Sequence, residues 1–76
     1  MVTAYIMVKS LTGEADRLRN SLLDIDGIVD VHIVAGDVDL IAKAEVDEPA
    51  DVKAIAADRV HAIDGVDETQ TYIAMA

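Results

Sequence analysis

The chain has 76 residues, a formal net charge of −9 from 15 acidic and 6 basic side chains, and no cysteine. That length suits one domain, residues 1–76, and the missing cysteine excludes disulfide staples and thiolate chemistry. The negative field repels nucleic acid and anionic lipid, and no apolar run approaches the ~20 residues of a membrane helix. A domain this small buries only about 60% of its unfolded surface, so association with further copies would stabilise it. Asp predominates over Glu, and Lys occurs only at Lys9, Lys43 and Lys53. Such a balance suits a halophilic protein, because a screening length of about 3 Å at 1 M salt removes the self-repulsion. The first residues are strand-like, with no basic leader or cleavage site, so a cytoplasmic location is expected.

In chain order, Val2 to Lys9 alternates as a strand, with Val2, Ala4, Ile6 and Val8 on one face and Thr3, Tyr5, Met7 and Lys9 on the other. Glu14 to Leu23 reads as a helix: Ala15, Leu18, Leu22 and Ile25 share a face, and Glu14 and Asp16 suit the first turn. Ile28 to Ala35 is a second strand, Gly36-Asp37 a tight hairpin, and Val38 to Val46 a third strand. Asp47-Glu48-Pro49 opens a second helix with a stripe of Val52, Ile55, Ala56, Val60 and Ile63. Val66 to Met75 is the last strand.

A short word occurs twice. Leu22-Leu23-Asp24-Ile25-Asp26-Gly27-Ile28-Val29-Asp30 returns as His61-Ala62-Ile63-Asp64-Gly65-Val66-Asp67. Each copy follows a helix and precedes a β-branched run, and each glycine stands where a helix should stop. The chain is therefore two β-α-β half-units. The order β-α-β-β-α-β predicts an α+β, ferredoxin-like βαββαβ sandwich with both helices on one sheet face. The other face mixes Tyr5, Met7, His32, Val34 and Ile41 with Thr3, Lys9, Asp30, Lys43 and Glu45. It is too apolar for a free surface, so a homodimer with two sheets face to face, a dimeric α+β barrel, is expected.

Three segments carry a family likeness: Ala4-Tyr5-Ile6-Met7-Val8-Lys9 with Gly13; Val31-His32-Ile33-Val34-Ala35-Gly36-Asp37-Val38-Asp39-Leu40-Ile41-Ala42-Lys43; and Ile63-Asp64-Gly65-Val66-Asp67-Glu68-Thr69-Gln70-Thr71-Tyr72-Ile73. Across its whole length the chain resembles the effector-sensing (RAM) domain of the Lrp/AsnC transcription regulators, in a stand-alone form. The family places a DNA-binding helix-turn-helix ahead of this domain. Here residue 1 already adjoins the first strand, so no direct nucleic-acid contact is expected. The resemblance implies a dimer or a larger oligomer of dimers that binds a small-molecule effector, an amino acid or related metabolite, between dimers. It also implies regulation through a partner such as a full-length Lrp/AsnC-type regulator. Carried over, the ligand-binding positions are Gly36, Asp37, Val38, Asp39, Thr69 and Thr71.

The residues themselves leave two readings open. Turn geometry wants Gly36 and Asp37, and strand propensity wants Thr69 and Thr71. Equally, turn N–H groups can hold a carboxylate, a carboxylate side chain can meet an ammonium, and two hydroxyls at alternate positions can reach one ligand. Arg59, near a helix end, is a dipole-complementing charge or an anion contact; His61 suits the same dipole, and His32 suits the dimer seam. No metal-ligand pattern, phosphate loop or catalytic triad is present, so no metal, cofactor or catalytic residue is expected. Two classes compete with a sensor. One is a cofactor-free monooxygenase-like α+β-barrel enzyme using Tyr5, His32 and Tyr72 between sheet and helices. The other is a pure protein-interaction module. An ACT domain shares the element order and would bind a similar ligand at a different interface.

The charge balance has a measurable consequence. The melting temperature should fall as salt is lowered from molar to millimolar, since the repulsion among the carboxylates is then unscreened. A melting curve independent of salt would contradict salt adaptation.

Overall fold

The computed structural model describes residues 1–11 and 13–75. Strand β1 (Val2–Ser10) is followed by helix α1 (Ala15–Leu23), strands β2 (Ile28–Ile33) and β3 (Leu40–Val46), helix α2 (Pro49–Lys53) and strand β4 (Val66–Ile73). Helix α2 runs on without a break as a π-helix, Ala54–Val60. The strands form one sheet in the order β2-β3-β1-β4, and every neighbouring pair is antiparallel. This is the ferredoxin-like βαββαβ arrangement.

Period-two patterning builds the core. Ala4, Ile6 and Val8 of β1 and Leu40, Ala42 and Ala44 of β3 are fully buried and lie opposite one another in register. Leu18 and Leu22 of α1 and Val52, Ile55, Ala56 and Val60 of the second helix close over them. No polar or charged side chain is buried among the described residues. The widened helix suits its stripe, because π-type bonding reaches one residue further and Ile55 and Val60 are spaced by five. Pro49 starts this helix, and Asp51 anchors it by accepting the Glu48 N–H at 3.3 Å.

The repeated word is a repeated structure. Gly27 and Gly65 have φ of 99° and 102°, in the left-handed region where a side chain is strained. Ile25 and Ile63 each donate back to the preceding helix, at 3.1 Å in both cases, to Leu22 O and Val60 O. The Gly27 carbonyl then accepts the Glu45 N–H, and the Gly65 carbonyl the Leu11 N–H, each at 2.9 Å. Each strand that follows opens with a bulge. One extra residue stands at Val29, between Ile28 and Asp30, and another at Asp67, between Val66 and Glu68. The bulges let Ile28 and Val66 point inward while Asp30 and Glu68, two residues on, point to the open face.

The connection between β2 and β3 departs from the sequence expectation. Gly36-Asp37 is not a two-residue turn. The strands stop at Ile33 and start at Leu40, and Val34 N–H to Asp39 O, at 2.9 Å, closes the wider loop. Gly36 does not have positive φ. The physical reason is Asp39, whose N–H donates to Val8 O at 2.9 Å and whose Oδ2 accepts the Ser10 N–H at 2.9 Å. The β3 end of the loop is thus tied to β1 as well as to Val34. Val34, expected in β2, lies in this loop, and the final strand ends at Ile73 rather than Met75.

Denaturant unfolding separates these glycines. A Cβ on Gly27 would lie 2.7 Å from Ile55 Cδ1, so Gly27→Ala should cost about 1 kcal/mol or more. Gly36 has nothing within 4 Å, so Gly36→Ala should stay within about 0.5 kcal/mol of wild type. Asp39→Ala, which strands the Ser10 N–H, should cost roughly 1 kcal/mol, and Asp39→Asn, which keeps a carbonyl acceptor, should cost less.

Candidate functional site

The sheet face away from the helices carries Tyr5, Met7 and Lys9 of β1, Ile41, Lys43 and Glu45 of β3, Asp30 and His32 of β2, and Glu68, Gln70 and Tyr72 of β4. At its Lys9 end the leaning β2–β3 loop and the edge strand β4 enclose a hollow of about 540 Å³. Met7, Lys9, Asp37, Val38, Glu68, Thr69 and Gln70 line it. The Asp39 clamp brings Asp37 and Val38 there, and the Asp67 bulge turns Glu68 outward to stand opposite Lys9.

Three of the six expected positions meet at this hollow: Asp37, Val38 and Thr69. Gly36 is exposed at the loop tip. Asp39 is half-buried, and one oxygen of its carboxylate is held by the Ser10 N–H. Thr69 and Thr71 lie opposite Val8 and Ile6, so their side chains share the helix-covered side of the sheet. The Thr69 hydroxyl is hydrogen-bonded to His61 Nε2 at 2.8 Å, a tie between the end of the second helix and β4.

Sequence reasoning missed Met7, Lys9, Glu68 and Gln70 as lining residues. Alternation did put Met7 and Lys9 on the open face. The bulge that turns Glu68 to the same face leaves no such trace. Lys9 is the hollow's cation, against the carboxylates of Asp37 and Glu68. Ion pairs within 4 Å among the described residues are Arg17–Glu14 and Lys43–Glu45, with His32 also within 4 Å of Asp30, and none involves Lys9. A small molecule bearing both charges would find complements here, with Met7 and Val38 as apolar wall.

The proposed catalytic grouping does not assemble. His32 is on β2 and Tyr72 on β4, at opposite edges of the sheet, and both project with Tyr5 from the open face rather than between sheet and helices. His32 Nε2 contacts Asp30 Oδ2 at 3.0 Å, and Tyr72 donates its hydroxyl to Gln70 Oε1 at 3.1 Å. Arg59 lines a separate depression of about 750 Å³ with Asp26, Asp51 and Asp58. Arg17, which sequence reasoning did not single out, bridges Glu14 Oε2 at 2.9 Å and the Asp64 carbonyl at 2.6 Å, covering the Gly65 turn. Among the described residues no group of three or more His, Cys, Asp or Glu could hold a metal, and no helix is long and apolar enough to cross a membrane.

Several solved structures share this fold. TTHA0845 from Thermus thermophilus superposes with a TM-score of 0.95 at 20% identity, over 100% of this chain and 95% of that one. FFRP-DM1 gives 0.92 at 28% identity, over 99% and 100%. The transcriptional regulator NMB0573 from Neisseria meningitidis, solved as an L-Met complex, gives 0.84 at 16% identity, over 99% of this chain and 50% of the regulator. No curated protein matches. The model of the Lrp/AsnC ligand binding domain matches residues 3–76, all but the first two positions, and takes in β1, both helices, the leaning loop and β4. The chain belongs to the Lrp/AsnC ligand-binding domain family.

Proposed function

We propose that this chain is a non-catalytic effector sensor that binds a free amino acid or related small metabolite and passes its occupancy to a partner through assembly. The observation that carries this is the hollow, where loop residues Asp37 and Val38 meet Glu68 and Gln70 of β4 and charges of both signs. These segments are remote in the chain and come together because the loop leans on β1. The L-Met bound to the Neisseria regulator supports the ligand class and leaves the ligand's identity open. Gly36, exposed on the same loop as Asp37, would serve a ligand shared with a neighbouring dimer, whereas the Thr71 side chain lies on the opposite side of the sheet from the hollow.

Assembly uses the open face. Tyr5 and Tyr72 are 37% and 55% exposed and pair across strands, with Met7 and Ile41 half-buried beside them. Burying such a face against a second copy would stabilise a domain with so little core of its own. Homodimers, or oligomers of dimers, follow. The hollow lies at the margin of this face and shares Met7 with it, so ligand and assembly would be coupled. A full-length Lrp/AsnC-type regulator is the partner such a domain could pair with, since it carries a domain of the same fold.

Two measurements test this. Sedimentation at micromolar protein in high salt should show a dimer or larger, and a monomer would remove the inter-subunit site. Calorimetry and thermal shift against the twenty amino acids should find a binder, which at 100 times its dissociation constant stabilises the folded state by about 2.7 kcal/mol. If none gives heat or a shift, sensing fails and a pure interaction module takes its place.

A further inference from the structure

Lys9 and Glu68 are direct cross-strand partners on the open face. Side chains so placed start about 5 Å apart at Cβ, and opposite charges there ordinarily pair. On the same face, Lys43 reaches Glu45 at 3.5 Å. Lys9 makes no ion pair within 4 Å among the described residues, although both it and Glu68 line the hollow. Both are exposed and neither contributes to the core. The hollow thus has a cation on one wall and a carboxylate on the next strand, with its mouth open to solvent.

The remaining walls sharpen the chemistry. Without Lys9, the hollow would present only the carboxylates of Asp37 and Glu68, inside a chain of net charge −9, and would repel any acid. Gln70, opposite Met7, accepts the Tyr72 hydroxyl through Oε1, which leaves its amide nitrogen as a further donor of the hollow's lining. The lining therefore offers donors at Lys9 and Gln70 and acceptors at Glu68 and Asp37. We infer that Lys9 takes the ligand's α-carboxylate and Glu68 its α-ammonium, so that the hollow selects amino acids with both groups free. This presupposes the amino-acid binding proposed above and assigns the two residues that would enforce it.

The test compares each of the twenty L-amino acids with its α-amide and its N-acetyl derivative by calorimetry. Wild type should bind at least one free amino acid, and bind its amide and its N-acetyl form about tenfold more weakly or worse, the loss of one charged hydrogen bond. Lys9→Met should weaken the free amino acid to a similar extent while leaving the amide unchanged. Glu68→Gln should do the same with respect to the N-acetyl form. Lys9→Arg, which keeps the charge, should restore binding, and circular dichroism should show all variants folded. If wild type binds an amino acid and both Lys9→Met and Glu68→Gln bind it equally well, the charge assignment is wrong while amino-acid sensing stands. If wild type binds none of the twenty, sensing itself fails and the assignment falls with it.

Discussion

Both halves of this fold depend on a backbone conformation that only glycine adopts cheaply. At Gly27 and Gly65 the chain leaves a helix, reverses with φ near 100°, and enters a strand. There is no room for more than hydrogen at Gly27, where Ile55 and Val46 pack directly over the backbone. At Gly65 the corresponding cover is the Arg17 guanidinium, held by Glu14 and by the Asp64 carbonyl. The Gly27 carbonyl then ties its turn to Glu45 of β3, and the Gly65 carbonyl ties its turn to Leu11, just past the end of β1. Strand phase, helix placement and core closure all follow from these two reversals.

The bulges after the turns convert architecture into chemistry. Simple alternation would send Ile28 and Asp30, or Val66 and Glu68, to the same face. With Val29 and Asp67 set out of the ladder, the apolar member of each pair joins the core and the charged member reaches the open face. Glu68 then confronts Lys9, and a strand edge becomes one wall of a hollow. The opposite wall depends on Asp39. Its carboxylate and its backbone both hold β1, so the loop carrying Asp37 and Val38 overhangs the sheet.

Charge and exposure divide the labour between the two faces. On the helix-covered side the buried side chains are all apolar among the described residues, so the core is held by aliphatic packing. The open side keeps its two tyrosines, a methionine, the Lys43–Glu45 ion pair and the His32–Asp30 hydrogen bond partly or largely exposed. A face of that kind is costly for an isolated small domain and natural for one that is covered by another.

Element type and order were legible in the sequence because they rest on local physics. Period-two alternation in Val2–Val8 and Leu40–Val46, helical spacing of Leu18 and Leu22, and the repeated Ile-Asp-Gly word are each read within a few residues. The family likeness was legible in the same segments. The tight hairpin at Gly36-Asp37 was not borne out, because the competing partner, the C-terminal end of β1 with Ser10 N–H and Val8 O, is some thirty residues distant and invisible to turn propensity. The same reason hid Lys9 and Glu68. A lysine in β1 and a glutamate in β4 acquire a relation only through antiparallel register and a bulge, and register is set by how whole strands bury their apolar faces. Which segments are strands and helices, and where the chain reverses, is written in local residue patterns; which charged side chains share a wall is settled by packing between segments distant in the chain, and no local pattern records it.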